Sequence, residues 1–126
     1  MRDYQRQKNN KYILPRPVYH KTLWTIRDYY RMKEEAEDIL LSSGRPGQRN
    51  GSGVSDPVAA KAVKRDRLLR ITKAIDEVKA KIPEEYQRGV WDSILYGSRY
   101  PMNADRTTYG RWKSWFVFHV AEKLGY

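Results

Sequence analysis

Asp105-Arg106-Thr107-Thr108-Tyr109-Gly110-Arg111-Trp112-Lys113-Ser114-Trp115-Phe116-Val117-Phe118-His119-Val120-Ala121-Glu122-Lys123-Leu124-Gly125 is the stretch whose reading decides the fold. Tyr109, Trp112, Phe116, Val120 and Leu124 recur at spacings of three and four, widened by Val117. That is the apolar stripe of a helix packed along one side. Gly125 supplies a stop and Asp105 a start. The spacing predicts a helix over about 105–124 with a buried stripe.

Upstream, Pro83-Glu84-Glu85 opens a second helix, about 83–96. Proline suits the first helical position and carboxylates suit a helix N-terminus. Its apolar face is Tyr86, Val90 and Ile94, with Trp91 and Leu95 beside it. Gly97 to Asn103 reads as a turn. Residues 83–124 are therefore expected to form helix, turn, helix. In the last helix the inward Tyr109 and Trp112 leave Arg106, Thr107, Thr108, Arg111 and Lys113 outward, near the N-terminal half. A recognition helix needs that layout, since its first turns enter the major groove. There Arg bonds guanine and Thr meets a phosphate or a thymine methyl.

Before Pro83 a long helix is expected over 57–82, with Asp56 as its N-cap and Pro57 at its first position. Leu68, Ile71, Ile75, Val78 and Ile82 make a seam for one partner helix, within the chain or across a homo-oligomer. Lys61, Lys64 and Arg65 belong to a basic face that reads either as solvated surface or as contact to nucleic-acid backbone. Residues 43–55 are rich in Gly and predict a flexible linker. No Gly-Lys-Ser/Thr follows them, so a phosphate-cradling loop is excluded. A first long helix is expected over 18–42, with Leu23, Ile26 and Tyr30 on its stripe, continued by Tyr29, Met32, Ala36, Ile39 and Leu40. Glu34, Glu35, Glu37 and Asp38 read as its solvated face. Residues 1–17 form a basic arm, broken by Asn9-Asn10 and Pro15-Arg16-Pro17. Its Tyr4 and Tyr12 either stack on bases or pack on the body.

No segment alternates with period two, so the fold class is all-α: a helical bundle with two long helices and a C-terminal helix-turn-helix. The domain organisation is an arm (1–17), a long helix (18–42), a linker (43–55) and a helical DNA-binding domain (56–126).

The chain has 126 residues, with 25 Lys+Arg against 15 Asp+Glu and a formal net charge of +10. That surplus favours a polyanionic partner, double-stranded DNA first. It is uneven. Residues 1–33 carry nine basic and two acidic residues, whereas 83–126 carry six and five. The arm and the 61–73 face must then supply general attraction, leaving specificity to the last helix. There is no cysteine, which excludes a thiol nucleophile or a cysteine-bound metal. His20 and His119 stand about a hundred residues apart and form no catalytic or ligand pattern, so no enzyme and no cofactor are expected. His119 reads as a packed core histidine. No run is long and apolar enough for a membrane span, and the N-terminus is not a secretory signal.

Several short motifs occur in order: Tyr19 to Tyr29, the Gly-rich linker, Ser55-Asp56-Pro57-Val58, Ile82-Pro83-Glu84-Glu85-Tyr86, Tyr96-Gly97, Ala104-Asp105, Thr108 to Lys113 and Leu124-Gly125. Together they resemble the RinA/ArpU-like late transcriptional regulators of Firmicutes phages, whose C-terminal part is similar to the helix-turn-helix of sigma-factor region 4. The resemblance spans about residues 18–125. It implies sequence-specific DNA binding and activation of phage late genes. A cytoplasmic location in a bacterial host is expected, with bacterial RNA polymerase as a second candidate partner. By position it puts Thr107, Thr108, Arg111 and Lys113 on the recognition helix. Gly110 departs from the small hydroxyl residue expected there. Two other readings compete with a regulator. One is a DNA-packaging component such as a small terminase subunit. The other is a module that contacts RNA polymerase without binding DNA.

Overall fold

A computed structural model describes residues 4–43 and 57–126. Among them are five helices and no strand, so the fold is all-α. They are α1 (Arg16–Arg27), α2 (Tyr29–Ser43), α3 (Pro57–Ala80), α4 (Glu84–Tyr96) and α5 (Arg106–Leu124). Beyond Ser43, the expected linker and the Asp56 cap lie outside the described residues.

The single helix expected over 18–42 is two. α1 ends at Asp28, whose φ of −87° and ψ of 3° leave the helical region. Its N–H is shared between the carbonyls of Trp24 (3.2 Å) and Thr25 (3.1 Å), which tightens the last turn. Aspartate favours such a break because its short carboxylate competes with the backbone for hydrogen bonds. Only α3, at 24 residues, is long in the expected sense.

The chain divides into two compact units, Met1–Asp28 with Ala74–Tyr126, and Tyr29–Lys73. In the first, α5 packs on both α1 and α4, and α1 packs on α4. The core takes Tyr19, Leu23 and Ile26 from α1 and Val90, Trp91 and Ile94 from α4. α5 adds Tyr109, Phe116, Val117 and Val120. The end of α3 contributes Ile75 and Val78, with Ile82 following. Arg27 closes the contact between α1 and α4, its Nε donating to the carbonyl of Ile94 at 2.8 Å. That carbonyl lies in the last turn of α4, where helical partners run out and a cation is favoured.

In the second unit α2 buries Tyr29, Met32, Ala36 and Ile39, and α3 buries Leu68. Tyr30, placed on the stripe by its spacing, is instead 53% exposed. Glu34, Glu37 and Asp38 face solvent as expected. Glu35 does not: its carboxylate accepts from Arg31 at 2.7 Å and pairs with Lys64 of α3 at 2.6 Å.

The arm is a folded loop. The Gln5 side chain donates to the Leu14 carbonyl (2.7 Å) and accepts from the Leu14 N–H (2.6 Å), closing residues 5–14. Asn9 turns the chain at a positive φ of 54°, which Asn tolerates better than most residues. Asn10 Oδ1 accepts from Tyr12 N, and its Nδ2 donates to the Arg6 carbonyl.

Candidate nucleic-acid interface

α5 begins where its sequence says it should. Asp105 stands at the N-cap and its carboxylate accepts from the Thr108 N–H at 2.8 Å. That bond holds the Asp105 carboxyl below its ordinary value, helped by the nearby charge of Arg111. At the other end Gly125 takes the left-handed conformation and stops the helix.

Tyr109, in the first turns, is fully buried and organises what lies around it. Its ring meets Tyr86 of α4 edge-on at 5.4 Å and stacks flat on Tyr100 at 4.9 Å. Its hydroxyl donates to Asn103 Oδ1 and lies 3.5 Å from the Glu85 carbonyl. Asn103 Nδ2 donates to the same carbonyl. One side chain thus ties α4, the connection and α5 together. The connection runs over residues 97–105, which is longer than the three- or four-residue turn of a helix-turn-helix.

The five residues expected to point outward do not share a face. Arg106, Thr107 and Arg111 are exposed, and Thr108 is half-buried. Lys113 is also half-buried, and it lies with Arg106 and Thr107 on a broad cleft that Thr108 and Arg111 do not line. At about 100° per residue, Lys113 returns beside Arg106 after two turns, while Arg111 points well away from both. The expectation that Lys113 faces outward with Arg111 is therefore corrected.

The cleft has a volume of about 1080 Å³ and belongs entirely to the first unit. Its floor is the start of α5, one wall is the 97–104 connection, and the other is the arm at Tyr4 and Arg6. Arg6 crosses α5 at Gly110. A methyl added there would stand 3.7 Å from Arg6 Nη1, an ordinary contact, so the glycine is not sterically required. Arg6 Nη1 also reaches the Thr107 carbonyl at 3.5 Å. Farther along, Asn10 bonds Ser114, and Tyr12 packs edge-on against Phe118 at 5.5 Å. Tyr12 therefore packs on the body, whereas Tyr4 is 70% exposed. His119 is not a core residue: it sits half-buried against Trp115, Tyr12 and Phe118, with Glu122 at 3.4 Å.

The α3 candidates lie in the second unit. Lys61 is exposed. Lys64 is held by Glu35, and that pairing, ahead of the one from Arg31, holds the Glu35 carboxyl below its ordinary value. Arg65 is half-buried, and its Nε has no hydrogen-bond partner among the described residues.

Among the described residues no group of three or more His, Cys, Asp or Glu side chains is arranged to hold a metal. No described helix is long and apolar enough to cross a membrane. In comparisons with family models, curated proteins and solved structures, nothing matches the chain.

Proposed function

We propose that this chain is a sequence-specific DNA-binding protein, a transcriptional regulator of the phage or prophage type its sequence resembles. The observation that carries the reading is the start of α5. A capped helix, fixed from inside by Tyr109, offers exposed Arg106, Thr107 and Arg111 on its first two turns. Rigid positioning with short and bidentate donors is what base readout in a major groove requires. Arg111 is the base-reading residue in this account, and Thr107 and Thr108 meet phosphate or thymine methyl. Lys61, with its exposed ammonium on α3, supplies attraction that does not depend on sequence.

The test is binding to duplex fragments from the host locus and to random duplex, across a salt series. Arg111→Ala should weaken binding to the preferred fragment more than to random DNA. Equal affinity for all fragments at every salt concentration overturns the reading.

A further inference from the structure

The cleft beside α5 has a chemistry that duplex readout leaves unused. Among the described residues, four cationic side chains line it, Arg6, Arg99, Arg106 and Lys113, against one carboxylate, Asp105. That carboxylate is committed to the helix cap. A concave surface of one sign concentrates its field and draws in anions. The cap also means that the α5 N-terminal amides are not what holds the anion; the arginines are.

The second feature is aromatic. Tyr4 lines the cleft and is 70% exposed as a residue, while its backbone is held by the Tyr19 hydroxyl, which donates to the Tyr4 carbonyl at 3.3 Å. A largely exposed aromatic residue is thus tied to the body through its main chain. Tyr100, on the opposite wall, is locked against Tyr109. Exposed aromatic rings set among cations are the combination that binds unpaired strands, in which bases stack on rings and phosphates track the charge. A paired base has both faces inside the stack and offers none to Tyr4. The volume, about 1080 Å³, lies just above the roughly 300–1,000 Å³ of small-molecule sites. The cleft is also open, so a chain can enter and leave it.

We propose that this cleft binds an unpaired nucleotide with its flanking phosphates, the base stacking on Tyr4 and the phosphates held by Arg99 and Arg106. The proposal goes beyond duplex recognition and shares only Arg106 and Thr107 with it. A DNA-binding protein with such a cleft engages a frayed end or a melted segment beside its duplex site.

The experiment is fluorescence anisotropy with a labelled oligothymidylate of about twelve nucleotides, using the full chain at low salt. Tyr4→Ala and Arg99→Ala should each weaken binding roughly tenfold, and Tyr4→Phe should restore it. Both positions are exposed, and unchanged thermal unfolding of the variants verifies that the fold is intact. Displacement by free dTMP assigns recognition to the single nucleotide, and failure of dTMP to displace assigns it to the strand; both support the site. No binding of the oligonucleotide by the unsubstituted chain, or binding by Tyr4→Ala and Arg99→Ala as tight as that of the unsubstituted chain, overturns it. Duplex recognition is read separately, on a duplex probe and through Arg111, so the two ideas fail independently.

Discussion

Tyr109 lies directly on Gly89. A methyl group added to Gly89 would fall on Cε1 of the Tyr109 ring and only 2.7 Å from Cδ of Pro101. The ring cannot retreat without breaking its stack on Tyr100 and its bond to Asn103. Gly89→Ala should therefore destabilise the first unit by about 1–3 kcal/mol through overpacking. It should do so even though alanine gains about 1 kcal/mol of helix propensity. Denaturant unfolding measures this, and an unchanged midpoint would show that the ring is not held.

The cap of α5 should be sensitive to acid. The Asp105 carboxyl titrates below its ordinary 3.8 because it accepts from Thr108 in the folded state. A carboxyl held low when folded adds stability above its unfolded pKa and loses it as pH falls through the folded value. Protection of the Thr108 amide, measured against its intrinsic exchange rate at each pH, should therefore fall as pH drops below about 4. Asp105→Asn keeps an acceptor and should remove this dependence. Asp105→Ala should quicken exchange at every pH, and exchange that ignores both substitutions would rule the cap out.

Lys61 and Lys64 should part company despite their shared helix. Lys61→Ala should weaken duplex binding equally on preferred and random DNA and lower the salt slope by about one. Lys64 is already paired with Glu35, so Glu35→Gln, which frees its ammonium, should raise affinity for random DNA. The same pair should make the second unit less stable below the ordinary 4.5 of Glu35, since its carboxyl too is held low when folded. A salt series and a pH series on the two variants measure both effects.

Arg27→Ala should cost about 1–3 kcal/mol, because it strips the Ile94 carbonyl of its donor at the end of α4. Arg27→Lys should recover part of the loss, since the charge near the helix C-terminus remains. Equal unfolding midpoints for the two variants would mean that the planar guanidinium, not its charge, matters.

The helices were legible because their stripes and punctuation agree. Pro57, Pro83, Asp105, Gly97 and Gly125 each mark a boundary within two residues of its observed place. The break at Asp28 was not. Ile26, Tyr29, Met32, Ala36 and Ile39 are buried at spacings of three and four straight across it, so periodicity reads one helix. The exposure of Arg106 and Arg111 was legible from their place outside the apolar stripe, but sequence order hid that Lys113 lines a cleft. The cleft itself was illegible. Its walls are the arm and the 97–104 connection, whose courses depend on Gln5, Asn10 and Tyr109 finding distant partners, and no period encodes that.

The docked arm also bears on how the protein is made. Arg6 bonds Thr107 and Asn10 bonds Ser114, so partners lie 101 and 104 residues apart in sequence. On a ribosome the arm emerges well before α5, so its contacts with Thr107 and Ser114 cannot form until α5 has followed it out of the exit tunnel. The segment Tyr29–Lys73 lies between the two and is complete first. Vectorial synthesis thus imposes an order: the inserted unit can close during translation, while the unit carrying the cleft must wait for its last helix.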